Sequence, residues 1–244
     1  MCIRDRFLTR NPLKSLRLNR CSIPVACAAV LLAICLHPCV AWVTQIVIAM
    51  YPPGGDLAFA EKIMSMVLSD APGLWAILLI LALAPALFEE VAFRGFILSG
   101  LQSLRGNYKA ILISALLFGA AHSIIQQSII TFFVGCVLGL IAIKTNSLIP
   151  CVLYHFTHNC ISTCMSMNYL NEGMPLYQWI FDRSADGGLY YSTLPAVLMT
   201  LLGVALLVWF WKLPIWEEGS GGEGFRLQEP LDLTKIVQRQ SAAK

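Results

Sequence analysis

The chain has 244 residues, of which 57% are hydrophobic and 13% are charged. An average soluble domain has about 25% charged residues, so the composition indicates an integral membrane protein and excludes a soluble globular domain. The net charge of +3 comes from scattered residues, which excludes an extended surface for nucleic acid. At about 20 residues per span, the length accommodates about six membrane helices in one domain.

The first 22 residues are basic and precede the first apolar stretch. That stretch is too long for a signal peptide and has no clear cleavage site, so we expect residues 1–22 to be a cytoplasmic lead. The opening MCIRDR forms no pattern with the residues that follow. We expect either that it is non-native or that the chain is the end of a longer protein. Residues 23–213 are predicted to form the membrane domain, and 214–244 a polar, mobile cytoplasmic tail.

Six apolar stretches predict an all-α, polytopic helical bundle of about six transmembrane helices. In chain order they cover about 23–50, 74–100, 110–125, 128–143, 148–167 and 194–211. The first is interrupted by His37 and Pro38, where we expect a kink. YPPGGD ends it, and residues 57–68 are predicted to lie amphipathically at the interface. A polar loop containing NEG and DRSADGG separates the fifth stretch from the sixth.

The distribution of basic residues predicts the orientation. If the spans alternate, one side holds Arg10, Lys14, Arg17, Arg20, Arg94, Arg105, Lys109, Lys144 and Lys212. The opposite loops hold Asp56, Glu61, Lys62, Asp70, Glu172, Asp182, Arg183 and Asp186. By the positive-inside rule the basic side is the cytoplasm, and both termini lie there.

The nine cysteines are predicted to be small buried residues and not disulfides. Most lie within apolar stretches, and none forms a CxxC pair; they are residues 2, 21, 27, 35, 39, 136, 151, 160 and 164.

Three charged residues in the second stretch need an explanation. In ALFEEVAFRGFILSGL, Glu89 and Glu90 are followed by Arg94. On insertion scales each charge costs ~2.5–3.5 kcal/mol at the centre of a membrane helix. Either this segment lies outside the membrane or the charges serve a function.

Two further pairs of candidate residues lie in later stretches, Phe118 with His122 and His155 with Asn159. A spacing of four residues places each pair on one face of a helix. Counted from the cytoplasmic ends, Glu89, His122 and His155 lie roughly 15, 20 and 13 Å deep in a core about 30 Å thick. Three helices therefore bring titratable groups to a similar level.

Each group also has a purely structural interpretation. Glu90 and Arg94 can neutralise each other as an i,i+4 pair. A single histidine in a span often hydrogen-bonds a neighbouring helix, as His158 and Asn159 also can. Phe118 is expected to be a packing residue in either interpretation. The combination of the three groups, and not any one of them, favours a functional site.

The motifs EEVAFR (89–94), FGAAH (118–122) and HFTHN (155–159) resemble the pattern EExxxR, FxxxH and HxxxN of a known family. This is the CAAX prenyl protease and bacteriocin-processing (CPBP, or Abi) family of intramembrane proteases, which includes the type II CAAX endopeptidases. The resemblance covers about 75–167. It implies a multi-pass intramembrane endopeptidase, and we expect the inner membrane of a bacterium as its location.

Arg94 is spaced to hold Glu90, which leaves Glu89 to receive a proton. The resemblance implies that Glu89 is the general base, and that Glu90 and Arg94 support it. A carboxylate in a poorly solvated cavity is a stronger base than in water, because its charged form is destabilised.

The resemblance further implies that His122 orients and polarises the water, and that His155 and Asn159 stabilise the oxyanion. Neutral histidine and asparagine donate hydrogen bonds without carrying charge, which suits a dry site. Cys160 follows Asn159 but points about 100° away on a helix, so a thiol nucleophile is not predicted.

Two alternatives remain open at the level of sequence. Glu89, His122 and His155 are adequate zinc ligands, although no HExxH motif is present; otherwise no cofactor is expected. A non-enzymatic scaffold, chaperone or transporter-associated subunit would use the charges structurally. The expected partners are the lipid bilayer and a membrane-associated peptide or protein substrate, without nucleic acid.

Overall fold

The structure is a computed structural model that describes residues 16–52, 54–55, 62, 73–122, 124–167, 170, 173, 176–184 and 187–215. The predicted interfacial segment over 57–68 lies outside these residues except for Lys62. Most of the basic lead and the tail beyond residue 215 also lie outside them.

The predicted all-α bundle is confirmed. Its helices are α1 (Ile23–Met50), α2 (74–105), α3 (Asn107–Ala120), α4 (Ile125–Thr145), α5 (Ile149–Ser166), the short α6 (Tyr177–Ile180) and α7 (Thr193–Lys212). Prolines at the first helical turns of α1 and α5 fit these starts, because a first-turn residue needs no helical N–H partner.

Four helices are long and apolar enough to cross a membrane: Ile23–Met50, Leu74–Gln102, Ile125–Thr145 and Thr193–Lys212. α3 is apolar but has only 14 residues, and α5, which carries the HFTHN motif, is not among the four. The six predicted stretches therefore correspond to six helices of the bundle, while length and hydropathy alone support four spans within the described residues.

The polar loop before α7 contains regular structure that the sequence analysis did not predict. Strands β1 (Phe181–Arg183) and β2 (Leu189–Tyr191) pair antiparallel, with Phe181 opposite Tyr191. Gly187 at the turn has a φ of 86°, in the region that favours glycine. A DGG turn flanked by aromatic residues is a hairpin signal, so the pattern was present in the sequence.

α2 is a continuous helix that contains two π-helical segments, Leu79–Leu83 and Val91–Ile97. The first ends two residues before Pro85, which has no backbone N–H to donate to a carbonyl of the preceding turn. The second surrounds Arg94. Segments with the wider π turn occur frequently at functional sites, and here they flank Glu89 and Glu90 on both sides.

α3 and α4 pack closely against each other, and glycines make the approach possible. A Cβ added at Gly119 would lie 2.6 Å from the Ser128 carbonyl oxygen, and one at Gly135 would lie 3.1 Å from Ala115 Cα. Small residues at such contacts let helix backbones approach each other. α1 packs against α5 and α7 on the other side, and α5 also packs against α2.

Arg17 ties the basic segment to the ends of two helices. Its side chain is buried and donates to Ser99 Oγ at 3.1 Å and to the Gln102 side-chain oxygen, both on α2. It also donates to the Ala142 carbonyl at 2.8 Å and to Asn146 Oδ1 at 3.3 Å, at the end of α4. The Ala142 carbonyl also accepts from the Asn146 N–H at 2.9 Å, so Arg17 adds a second donor there and joins side chains of α2 to the end of α4.

Other helix ends that were predicted to lie on the basic side are found at the same end of the bundle. Lys144 Nζ donates to the Leu213 carbonyl at 2.7 Å, and Tyr108 stacks on Trp211 at 5.4 Å. The start of α3, the end of α4 and the end of α7 therefore lie together, as alternating spans require.

The eight cysteines within the described residues are free thiols. Cys35 and Cys151 are buried, five are partly buried, and Cys27 is exposed. The predicted burial is complete for Cys35 and Cys151, partial for five others, and wrong for Cys27, which is exposed on α1.

We expect Arg17→Ala to destabilise the protein by about 1–3 kcal/mol, because it removes the arginine donor from the side-chain oxygens of Gln102 and Asn146 and one of two donors from the Ala142 carbonyl. Thermal unfolding in detergent measures the effect. Arg20→Ala is the matched control, since Arg20 is exposed. Equal losses in the two variants would contradict the assigned role of Arg17.

We expect the basic end to face the cytoplasm. In a cysteine-free variant, Leu104→Cys should be labelled by an impermeant thiol reagent only from the cytoplasmic side, and Asp182→Cys only from the opposite side. Both residues are exposed. Labelling of both from one side would rule out the alternating arrangement.

Candidate active site

The buried charges of α2 meet α5, α4 and the end of α3 inside the bundle. Glu90 and Arg94 are fully buried, and Arg94 Nη1 donates to Glu90 Oε1 at 3.0 Å. The i,i+4 spacing places them on one face of α2. An unpaired charge in such surroundings costs several kcal/mol, so each of these groups depends on the other.

Arg94 makes two further contacts that fix its guanidinium group. Nη2 donates to the Gly135 carbonyl on α4 at 3.3 Å. The guanidinium carbon lies 4.3 Å from the centre of the Phe118 ring, a cation–π contact. The arginine is therefore held from three helices at once.

His155 on α5 lies between the two glutamates. Its Nδ1 lies 2.8 Å from Glu90 Oε1, and its Nε2 lies 3.8 Å from Glu89 Oε2. An ionised carboxylate can only accept, so Nδ1 carries a proton that it donates to Glu90. The second distance is too long for a hydrogen bond.

The two adjacent glutamates have different surroundings. The side chain of Glu89 is 33% exposed, whereas that of Glu90 is 0% exposed. Successive residues on a helix point about 100° apart, so one carboxylate enters the core and the other reaches its edge. Glu90 is held by Arg94 and His155, while Glu89 remains accessible to a small molecule.

His122 lies in the turn just after α3 and not within a helix, which corrects the expected helical position. The short α3 ends at Ala120, and the His122 backbone N–H donates to the Gly119 carbonyl at 3.0 Å. Its ring still reaches back one turn, where Nδ1 lies 3.0 Å from the Phe118 carbonyl oxygen. Since a carbonyl can only accept, Nδ1 carries the proton and the neutral ring has its lone pair on Nε2.

Phe118 links the parts of the site. It is buried, and its ring meets the ring of His122 edge-on at 5.3 Å and that of His155 at 5.9 Å. Together with the Arg94 contact, this makes the phenyl ring the common neighbour of all three polar motifs. Its packing role was predicted from the sequence, but its central position was not.

Asn159 lies one helical turn beyond His155 and is partly buried. Among the described residues its amide has no hydrogen-bond partner, so both donors of the group are available. Cys160, the next residue, is a partly buried free thiol.

The predicted site residues therefore divide into two sets. Glu89, Glu90, Arg94 and His155 are in contact or within 4.0 Å of a member of the set. His122 is joined to them through Phe118, and within the described residues no ion pair joins it to either carboxylate. The His155–Glu90 contact and the Gly135 carbonyl were missed, because neither follows from spacing within one helix.

Zinc would require Glu89, His122 and His155 to converge on one point. In the part of the chain that the structure describes, no group of three His, Cys, Asp or Glu residues is arranged to hold a metal ion. The structure thus provides no preformed ligand set for the zinc alternative.

We expect Glu90→Gln to reduce the free energy of unfolding by about 3–5 kcal/mol, because it leaves Arg94 charged and unpaired inside the bundle. Glu89→Gln is the matched control: it is the same chemical change one residue away, at a partly exposed position. Unfolding in detergent and folded yield measure both. Equal stability of the two variants would contradict the assigned difference.

Comparison with known proteins supports the resemblance found in the motifs. Residues 71–161 match the family model of the type II CAAX prenyl endopeptidase Rce1-like proteins. The segment contains EEVAFR, FGAAH and HFTHN, and the resemblance is confirmed over it. Neither the curated proteins nor the solved structures give a significant match to the chain. The family is one of proteases, and with the apolar helices the match indicates an integral membrane protein.

Proposed function

We propose, from the family match over residues 71–161, that the protein is an intramembrane endopeptidase that hydrolyses a peptide bond with water activated by Glu89. The observation that carries this proposal is the different state of the two glutamates. Glu90 is fully buried and bound by Arg94 and His155, while Glu89 is 33% exposed and within 4 Å of His155. One carboxylate is structural and the other is available for proton transfer.

In this reaction Glu89 takes a proton from water, and the hydroxide attacks the carbonyl carbon of the substrate. The Glu89 side chain is 33% exposed, so water can reach the carboxylate. The same group then gives its proton to the leaving nitrogen when the C–N bond breaks. Proton transfer by a positioned side chain contributes roughly 10²–10⁴-fold to such a rate.

His122 would orient the attacking water. With Nδ1–H donating to the Phe118 carbonyl, the free lone pair of a neutral ring is on Nε2. That lone pair can accept a hydrogen bond from water, which directs the water oxygen. The edge-on contact with Phe118 limits the rotation of the ring.

His155 and Asn159 would stabilise the oxyanion of the tetrahedral intermediate. Asn159 has an amide without a partner among the described residues and can donate directly. His155 already donates through Nδ1 to Glu90, so it can donate to the oxyanion only when Nε2 is also protonated.

We propose that the substrate is a membrane-associated peptide or protein, approached from the cytoplasmic side, and that no metal is needed. A carboxylate base and hydrogen-bond donors to the oxyanion suffice for the chemistry above. A turnover assay and a metal analysis, described next, distinguish this proposal from the zinc alternative and from a purely structural role.

We expect Glu89→Gln to lower turnover of a cleaved membrane peptide by about 10²–10⁴-fold while folded yield stays normal, because the variant keeps the shape and loses the proton acceptor. Purified protein in detergent is incubated with prenylated and plain membrane peptides, and products are identified by mass spectrometry. Near-normal turnover in Glu89→Gln would contradict the mechanism.

Metal content is measured on the same active preparation. Stoichiometric zinc that is removed together with activity, and restores it when added back, would support the metalloprotease alternative. Absence of cleavage by folded wild-type protein over the whole peptide set would favour the scaffold.

A further inference from the structure

A second buried polar cluster lies beside the candidate site and takes no part in the reaction proposed above. It consists of His37 on α1, His158 on α5 and Tyr191 on β2, and it extends to Ser162, an exposed residue of α5. His37 and Tyr191 are each 5% exposed. The cluster joins three separate elements at a point where α5 also carries His155.

His37 uses both ring nitrogens. Nε2 lies 2.9 Å from Ser162 Oγ, and Nδ1 lies 3.0 Å from the Tyr191 hydroxyl. A neutral imidazole has one donor and one acceptor, whereas each hydroxyl can do either. The three groups therefore form one continuous hydrogen-bonded chain from the hairpin to α5.

The Tyr191 hydroxyl, at the hairpin end of these hydrogen bonds, is able to donate. Burial raises the pKa of the Tyr191 hydroxyl above its ordinary value, so the group keeps its proton at neutral pH. When it donates to His37 Nδ1, the ring proton is on Nε2 and donates to Ser162 Oγ. Without the Tyr191 hydroxyl, Nδ1 would be a buried acceptor with no partner, which is unfavourable.

The cluster holds the turn of α5 next to His155. Ser162 follows His155 by seven residues, which places the two side chains on the same face of the helix. The ring of His158 lies 4.9 Å from that of His37. His158 is about 4.5 Å along the axis from His155, so a rotation of α5 at the cluster changes the direction of the His155 ring.

α1 is fixed at the same height from its other side. A Cβ added at Gly203 on α7 would lie 2.7 Å from Leu36 Cδ2 and 3.1 Å from the Cys35 backbone carbon. Pro38 removes a backbone hydrogen bond from α1 here, so the helix depends on these neighbours for its path. The position of His37 is therefore fixed by the packing of α1, and its hydrogen bond to Ser162 can hold α5.

We infer that Tyr191 and His37 are positioning residues for His155: the hairpin, through the hydrogen-bonded chain to Ser162, holds α5 in the rotation that keeps His155 against Glu90. The role in catalysis rests on the proposed function, whereas the effect on His155 does not.

The first test is spectroscopic and needs no substrate. The chain has four histidines, so protein labelled with ¹⁵N-histidine gives a simple spectrum of ring nitrogens, assigned by single substitutions. Tyr191→Phe, which removes one hydroxyl, should shift the resonances of His37 and of His155. Ser162→Ala removes the other partner of His37 and should shift the same two residues.

The matched control is Tyr190→Phe, the same change at the neighbouring residue, which is 47% exposed. It should leave both histidines unchanged. A spectrum in which Tyr191→Phe shifts His37 but not His155 would overturn the inference, because the hairpin would then be bound to α1 without affecting the site.

The second test measures cleavage. We expect Tyr191→Phe to lower kcat about two- to ten-fold, the effect of one buried hydrogen bond, with KM unchanged, and Tyr190→Phe to change neither. Equal kcat in the two variants would overturn the catalytic part. If wild-type protein cleaves nothing while Tyr191→Phe still shifts His155, the proposed function fails and the coupling of hairpin to site stands.

Discussion

The ion pair between Glu90 and Arg94 constrains the arrangement of the surrounding helices. Both side chains are fully buried in an apolar bundle, where an unpaired charge costs several kcal/mol. The pair is stable only with further partners: the Gly135 carbonyl on α4, the Phe118 ring of α3 and His155 Nδ1 on α5. Movement of α3, α4 or α5 would remove one of these further partners from the buried pair.

The same constraint separates the roles of two identical side chains. Glu90 is committed to the ion pair, and its neighbour Glu89 is turned by about 100° towards the edge of the core. The π-helical segments on either side of the two glutamates change the path of α2 around them. The contacts that a buried carboxylate requires hold Glu90 in place, and they thereby fix the helix segment that carries the accessible Glu89.

The helices of this bundle could be predicted from the sequence because long apolar stretches bounded by Pro, Gly and charged residues have few alternatives. The boundaries of α1 agree with the prediction, whereas α3 ends five residues earlier than expected. That early end moved His122 into a turn. The hairpin of β1 and β2 was missed although its DGG turn is a hairpin signal, because its strands have only three residues each, too short for a clear periodic pattern.

The sequence by itself determined the membrane class, the order of the helices and the charged motifs, because these depend on local composition and on spacings of a few residues. It also placed Arg94 within reach of Glu90, since an i,i+4 pair on a helix needs no other element. Only the tertiary structure decided that His155 binds Glu90, 65 positions away, and that Phe118 joins the three motifs. Such contacts depend on how each helix is rotated about its axis, and that rotation follows from the close packing of small residues and from the partners that buried charges require.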